Sequence, residues 1–149
     1  MSPLAGDVYR MWCLATTGSD GVGWCGMWGT AHRLARSRER SVPLAFDRFG
    51  LSMLRQVTAA QVLGCGLVGH GLDGFIVAVN EVATNAVLHG AGRGWLRLWC
   101  AEGSLFAEIS DDGVGLPAGF VIRPAAVSAP GGRGMWLASQ CCDLTIRAG

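Results

Sequence analysis

The chain has 149 residues, half of them hydrophobic, which suits one domain with one sizeable core. Twelve basic residues face eleven acidic ones, so no global field selects nucleic acid or an anionic membrane surface, and partners must be read from local sites. No window approaches the roughly 18 apolar residues of a membrane span, and the N-terminus lacks the layout of a secretory signal; both point to the cytosol.

Every basic residue is Arg, and Gly occurs 23 times, a bias that reads as a GC-rich bacterial coding sequence. The six cysteines, Cys13, Cys25, Cys65, Cys100, Cys141 and Cys142, form no C-x-x-C pair and read as scattered buried thiols.

Residues 1–40 mix Gly, Trp, Cys and Met, as in DGVGWCGMWGT, without a period of 2 or 3.6, so they offer no face to bury. They are expected to form a poorly ordered extension or to reflect a misassigned start. The alternative use for Trp12, Trp24 and Trp28 is a partner-binding patch. Arg33, Arg36, Arg38 and Arg40, in RLARSRER, read as a solvated linker before touching phosphate or an acidic partner.

From Ser41 the texture changes. SVPLAFD predicts a strand, and FGLSMLRQVTAAQVLGCGL a helix with Leu51, Leu54, Val57, Val62 and Leu63 toward the core. Asp73 is a candidate N-cap for a helix from about Gly74 to His89, with Phe75, Ile76, Val79, Val82, Ala83 and Ala86 facing inward and Gly90 ending it. WLRLWCAEGSLFAEIS holds two alternating runs around Glu102-Gly103, a hairpin signature. After the turn DDGVGLP, a Gly, Pro and Ala segment leads to a helix near Arg133, and DLTIR closes the chain as a strand. This order predicts an α+β fold, a two-layer sandwich with helices on one face of a mixed, mostly antiparallel sheet.

Three short segments carry chemistry. In NEVATNAVLHG, Glu81 and Asn85 lie four apart, so a helix puts them on one side, about 6 Å apart, at the margin of the apolar stripe. A carboxylate and an amide oxygen suit a hydrated magnesium ion, which takes few protein ligands and completes its shell with water and phosphate oxygens. In DDGVGLP, Asp111 ends a strand where it can accept from an exocyclic amine, and Gly113 and Gly115 let a flat ring approach. In GGRGM, a glycine turn enters a helix and leaves N–H groups for phosphate oxygens, with Arg133 adding charge. Taken singly, each has an ordinary structural explanation.

E-V-A-T-N-A-V-L-H-G, D-D-G-V-G-L-P and G-G-R-G-M-W-L together resemble the ATP-binding domain of histidine kinases, gyrase, Hsp90 and MutL, known for the Bergerat-type fold. The likeness runs from about Ser41 to Arg147 and is greatest to stand-alone bacterial anti-sigma factor serine/threonine kinases. It implies that residues 41–149 form an ATPase-type domain using ATP and Mg2+. Asn85 would then hold the magnesium ion and Glu81 would be the general base. Asp111 would recognise adenine, with Gly113 and Gly115 at the floor of its pocket. Gly132, Arg133 and Gly134 would form the hinge and phosphate contact of the lid. His89 and Gly90 match the end of the first motif and are assigned to packing and capping. The implied partners are a sigma factor and a small antagonist protein phosphorylated on serine, with no direct nucleic acid and no membrane; relatives of this kind commonly dimerise.

Two departures stand out. The chain ends at TIRAG, where relatives add another strand, which leaves a sheet edge exposed. No phosphoacceptor histidine helix precedes the domain. The alternatives are a non-catalytic, nucleotide-dependent binding module and a detached ATP-binding domain of a two-component system.

Overall fold

The computed structural model describes residues 8–14, 38–65, 71–101, 104–117, 119–124 and 133–147. In chain order the elements are β1 (Val8–Leu14), β2 (Leu44–Asp47), α1 (Leu51–Gly64), α2 (Gly71–His89), β3 (Arg93–Ala101), β4 (Ser104–Asp111), α3 (Arg133–Cys141) and β5 (Asp143–Arg147). The five strands form one sheet in the order β2-β3-β4-β1-β5. The fold is α+β, but among the described residues every strand pairing is antiparallel, where a mixed sheet was expected.

The β3–β4 hairpin is the centre of the sheet. Its strands pair from Gly94↔Asp111 to Ala101↔Ser104, the register of a two-residue connection; Glu102 and Gly103 themselves lie outside the described residues. Alternation sorts the two faces. Leu96, Leu105, Ala107 and Ile109 are buried toward the helices, while Arg97, Trp99, Phe106 and Glu108 occupy the other face, where Trp99 stacks on Phe106 at 5.4 Å.

α2 supplies most of the helical side of the core. Phe75, Ala78, Val79, Val82, Ala83, Ala86 and Val87 are all buried, and each larger one contributes about 1.5–3 kcal/mol on leaving water. The helix starts at Gly71, three residues before the expected start, so Asp73 lies inside the first turn, where its charge favours the helix dipole, and is not the N-cap.

α1 is turned differently from its expected face. Leu54, Thr58 and Val62 are buried, whereas Val57 is 38% and Leu63 79% exposed. The residues at i, i+4 and i+8 share one side of the helix, and Thr58 can enter the core because its hydroxyl donates to the Leu54 carbonyl at 2.8 Å. Before α1, the Asp47 carboxylate accepts from the N–H groups of Phe49 and Gly50 at 2.9 and 3.0 Å, which fixes the turn out of β2.

Part of the N-terminal segment belongs to the sheet, contrary to the expectation of poor order throughout 1–40. β1 runs between β4 and β5, antiparallel to both, with Trp12 opposite Phe106 on one side and Asp143 on the other. Among the described residues, β5 joins the sheet only through β1. Residues 8–14 thus lie beside residues 143–147, and among the described residues no strand pairs with the other edge of β5. Arg38 is likewise no solvated linker residue: it makes a two-pronged ion pair with Glu108, which is 5% exposed. Hydrogen bonding to Glu108 holds the Arg38 guanidinium above its ordinary pKa, against the opposing effect of burial. Trp24, Trp28, Arg33 and Arg36 lie outside the described residues.

Cys65 and Cys100 are joined in a disulfide with Cα atoms 6.3 Å apart, within the usual span of such a bond, so these two are not independent thiols. Cys141 and Cys142 are half-buried, and the Cys142 thiol donates to the Ala138 carbonyl at 3.3 Å. Among the described residues, no helix is long and apolar enough to cross a membrane.

Candidate functional site

The site is organised by the second half of α2. Glu81 and Asn85 are half-buried, on the side of the helix left over once Val82, Ala83 and Ala86 have turned into the core. The first residues of α3 come down on this side. A Cβ added to Gly134 would lie 2.6 Å from Glu81 Oε2 and 3.6 Å from Asn85 Nδ2. Only glycine lets the α3 backbone approach the two polar side chains so closely, and α2 and α3 are packed together along this contact.

The end of α2 makes a second close approach. The Gly90 N–H donates to the Ala86 carbonyl at 3.0 Å, closing the last turn. A Cβ on Gly90 would lie 2.9 Å from the Asp111 carboxyl carbon, and one on Gly113 would lie 2.7 Å from the Gly90 Cα. The Asp111–Gly113 turn is therefore pressed against the end of the helix. Asp111 is 3% exposed, and its Oδ1 accepts the Gly113 N–H at 2.8 Å. Such a turn orients the carboxylate at the end of β4. Gly115 is needed for a different reason, because its φ of 80° lies in the left-handed region.

Glu81, Asn85, Asp111, Gly113, Gly115, Arg133 and Gly134 are all described, and α2 brings five of them together: Glu81 and Asn85 meet Gly134, and Gly90, about one and a half turns past Asn85, meets Asp111 and Gly113. From Glu81 to Gly90 the axis runs about 14 Å, at 1.5 Å per residue. Arg133 is the first residue of α3 and is exposed. Gly132 lies outside the described residues.

Two contributions were not foreseen. Gly90 was expected only to cap the helix, but it is the surface on which the Asp111 turn rests. Asp112, the neighbour of Asp111 in the turn, is paired with Arg93 at the start of β3, through Nη2 at 2.6 Å and Nε at 3.2 Å. That hydrogen bond holds the Asp112 carboxyl below its ordinary pKa, and the guanidinium also lies 5.7 Å from the Trp95 ring centre. The sequence signal was available: Gly94 pairs with Asp111, so a basic residue just before Gly94 falls beside Asp112.

Among the described residues, no cluster of three His, Cys, Asp or Glu side chains could hold a metal alone. The donor set at α2, one carboxylate and one amide, fits a magnesium ion that receives its other ligands from phosphate and water. No family model, no curated protein and no solved structure matches the chain.

Proposed function

We propose that the chain is an ATP-dependent protein serine/threonine kinase of the anti-sigma type, on a Bergerat-type fold. One observation carries this reading. Three segments far apart in sequence meet along α2: Gly134 rests on Glu81 and Asn85, and Gly90, at the end of the same helix, rests on Asp111 and Gly113.

In this reading the buried Asp111 carboxylate accepts from the exocyclic amine of adenine and so selects it over guanine, which presents an acceptor there. The Asn85 amide oxygen holds Mg2+, which when bound neutralises phosphate charge. The N–H groups at the start of α3 face the phosphates, where a helix N-terminus favours anions. Glu81 takes the proton from the attacking serine hydroxyl. Phosphoryl transfer depends chiefly on positioning and charge stabilisation, and one rigid helix supplies both. The substrate would be a small antagonist protein and the bound partner a sigma factor.

A second reading draws on the closeness of Gly134 to Glu81 Oε2. A base must meet a hydroxyl, and a carboxylate covered by α3 favours a nucleotide-dependent binding module without transfer. Calorimetry and label transfer separate the two. Asn85→Ala should abolish Mg-ATP binding, and unchanged affinity would remove the metal role. Glu81→Ala should bind Mg-ATP as the wild type does but pass no radiolabel from ATP to a purified antagonist. Binding without transfer by the wild type would leave the module.

A further inference from the structure

At the opposite end of the β3–β4 hairpin, two cysteines are brought together. Cys65 ends α1, its N–H donating to the Gln61 carbonyl at 3.0 Å, and Cys100 lies in β3 opposite Leu105. Their Cα atoms are 6.3 Å apart although 35 residues separate them in sequence. Both ends of this link are anchored without it. α1 is held by Leu54, Thr58 and Val62, all buried, and β3 pairs with β4 from Gly94 to Ala101, Cys100 included, and with β2 from Arg93 to Leu96. Both cysteines are half-buried at the margin of the core, within reach of a small solute. A cross-link between independently anchored elements can open and close without dismantling the fold.

We propose that Cys65 and Cys100 form a reversible thiol–disulfide site whose co-reactant is a low-molecular-weight disulfide. One cysteine thiolate attacks a sulfur of that disulfide, forming a mixed disulfide and releasing one thiolate. The other cysteine thiolate then attacks the protein sulfur of the mixed disulfide and displaces the second thiol. Two protein thiols and one small disulfide thus become one protein disulfide and two small thiols, with no other oxidant required. Closing the bond ties the end of α1 to the sheet and raises stability by restricting the unfolded chain. The bond lies about 20 Å along β3 from Gly94, beside Asp111. Its effect therefore falls on the folded lifetime of the protein rather than on the chemistry at α2.

The test uses the full chain in buffers of reduced and oxidised glutathione, with alkylation to trap free thiols. Arg55, Arg93, Arg97 and Arg133 place the two cysteines in separate tryptic peptides, residues 56–93 and 98–133, each with a single cysteine. The linked pair should dominate in oxidised glutathione, disappear in reduced glutathione and return on reoxidation. The melting midpoint should move with it by about 5 °C or more. Cys65→Ser should melt at one temperature in both buffers; if it does not fold, Cys100→Ser replaces it, and the wild-type shift stands as an independent measure. Absence of the linked pair at every poise would overturn the proposal. So would loss of a cooperative melt in reduced glutathione, because the bond would then be obligatory. Neither readout involves nucleotide, so failure here and failure of the kinase reading are separate events.

Discussion

The two ends of the β3–β4 hairpin are closed by different means. At the Gly94↔Asp111 end, backbone meets backbone: Gly90 and Gly113 are in contact, a buried carboxylate is held by an N–H in its own turn, and a charged pair, Arg93 and Asp112, clasps the outside. At the Ala101↔Ser104 end, mass and a covalent bond do the work, with Trp99 stacked on Phe106 and Cys100 tied to Cys65. One end is closed where glycines let the backbone at the end of α2 and the turn after β4 meet. The other end fills its space, the arrangement stability needs.

The most damaging way to break this contrast is to add bulk where glycine allows contact. Gly90→Ala places a methyl group against the Ala86 carbonyl and 2.9 Å from the Asp111 carboxyl carbon, and neither the backbone nor a turn already pressed on the helix can yield cheaply. A loss of about 3 kcal/mol or more is expected in chemical denaturation, at the upper end of overpacking costs. At the other end, Cys65→Ser should lower stability by about 2–4 kcal/mol under oxidising conditions and have almost no effect under reducing ones. A loss of equal size in both buffers would mean that the side chain matters for packing and not for the cross-link.

Arg38→Ala removes the two-pronged partner of the buried Glu108 and should cost about 1–3 kcal/mol by thermal melting. Gly134→Ala sharpens the comparison, because the atom it meets is the end of a flexible side chain, Glu81 Oε2 at 2.6 Å. The fold should lose less than about 1 kcal/mol, while on the proposed kinase reading, with Glu81 as base, phosphate transfer should fall at least tenfold. Equal activity in wild type and variant would detach Gly134 from the site. The smallest effect belongs to Arg93 and Asp112. Because the folded Asp112 pKa lies below its ordinary 3.8, the pair stabilises the protein above that pH, and the contribution is lost as pH falls through the lower folded value. Arg93→Ala should flatten that part of the acid-unfolding curve and leave neutral stability nearly unchanged.

α2, the β3–β4 hairpin, α3 and β5 were legible because each announces itself within a short window: a 3.6-residue stripe, two alternating runs around Glu102-Gly103, or a glycine turn before an apolar helix. β1 was not, because its partners are remote. Val8 pairs with Ser110 and Arg147, so seven residues among glycines and tryptophans become a strand only when β4 and β5 receive them. The face of α1 failed for another reason. Two apolar stripes lie side by side on that helix, and only contact with α2 and the sheet chose Leu54, Thr58 and Val62 over Val57 and Leu63.

By itself the sequence determined the local elements and the spacing of the candidate site residues: Glu81 and Asn85 one helical turn apart, Asp111 at a strand end, and glycines at the start of a helix. Helical and strand periods are fixed by neighbours in the chain, so they can be read without the fold. Tertiary structure decided which glycines touch which carboxylates, that β5 needs β1, and that Cys65 meets Cys100 across 35 residues. These depend on how the sheet and helices close around one core, and no short window of sequence contains both partners.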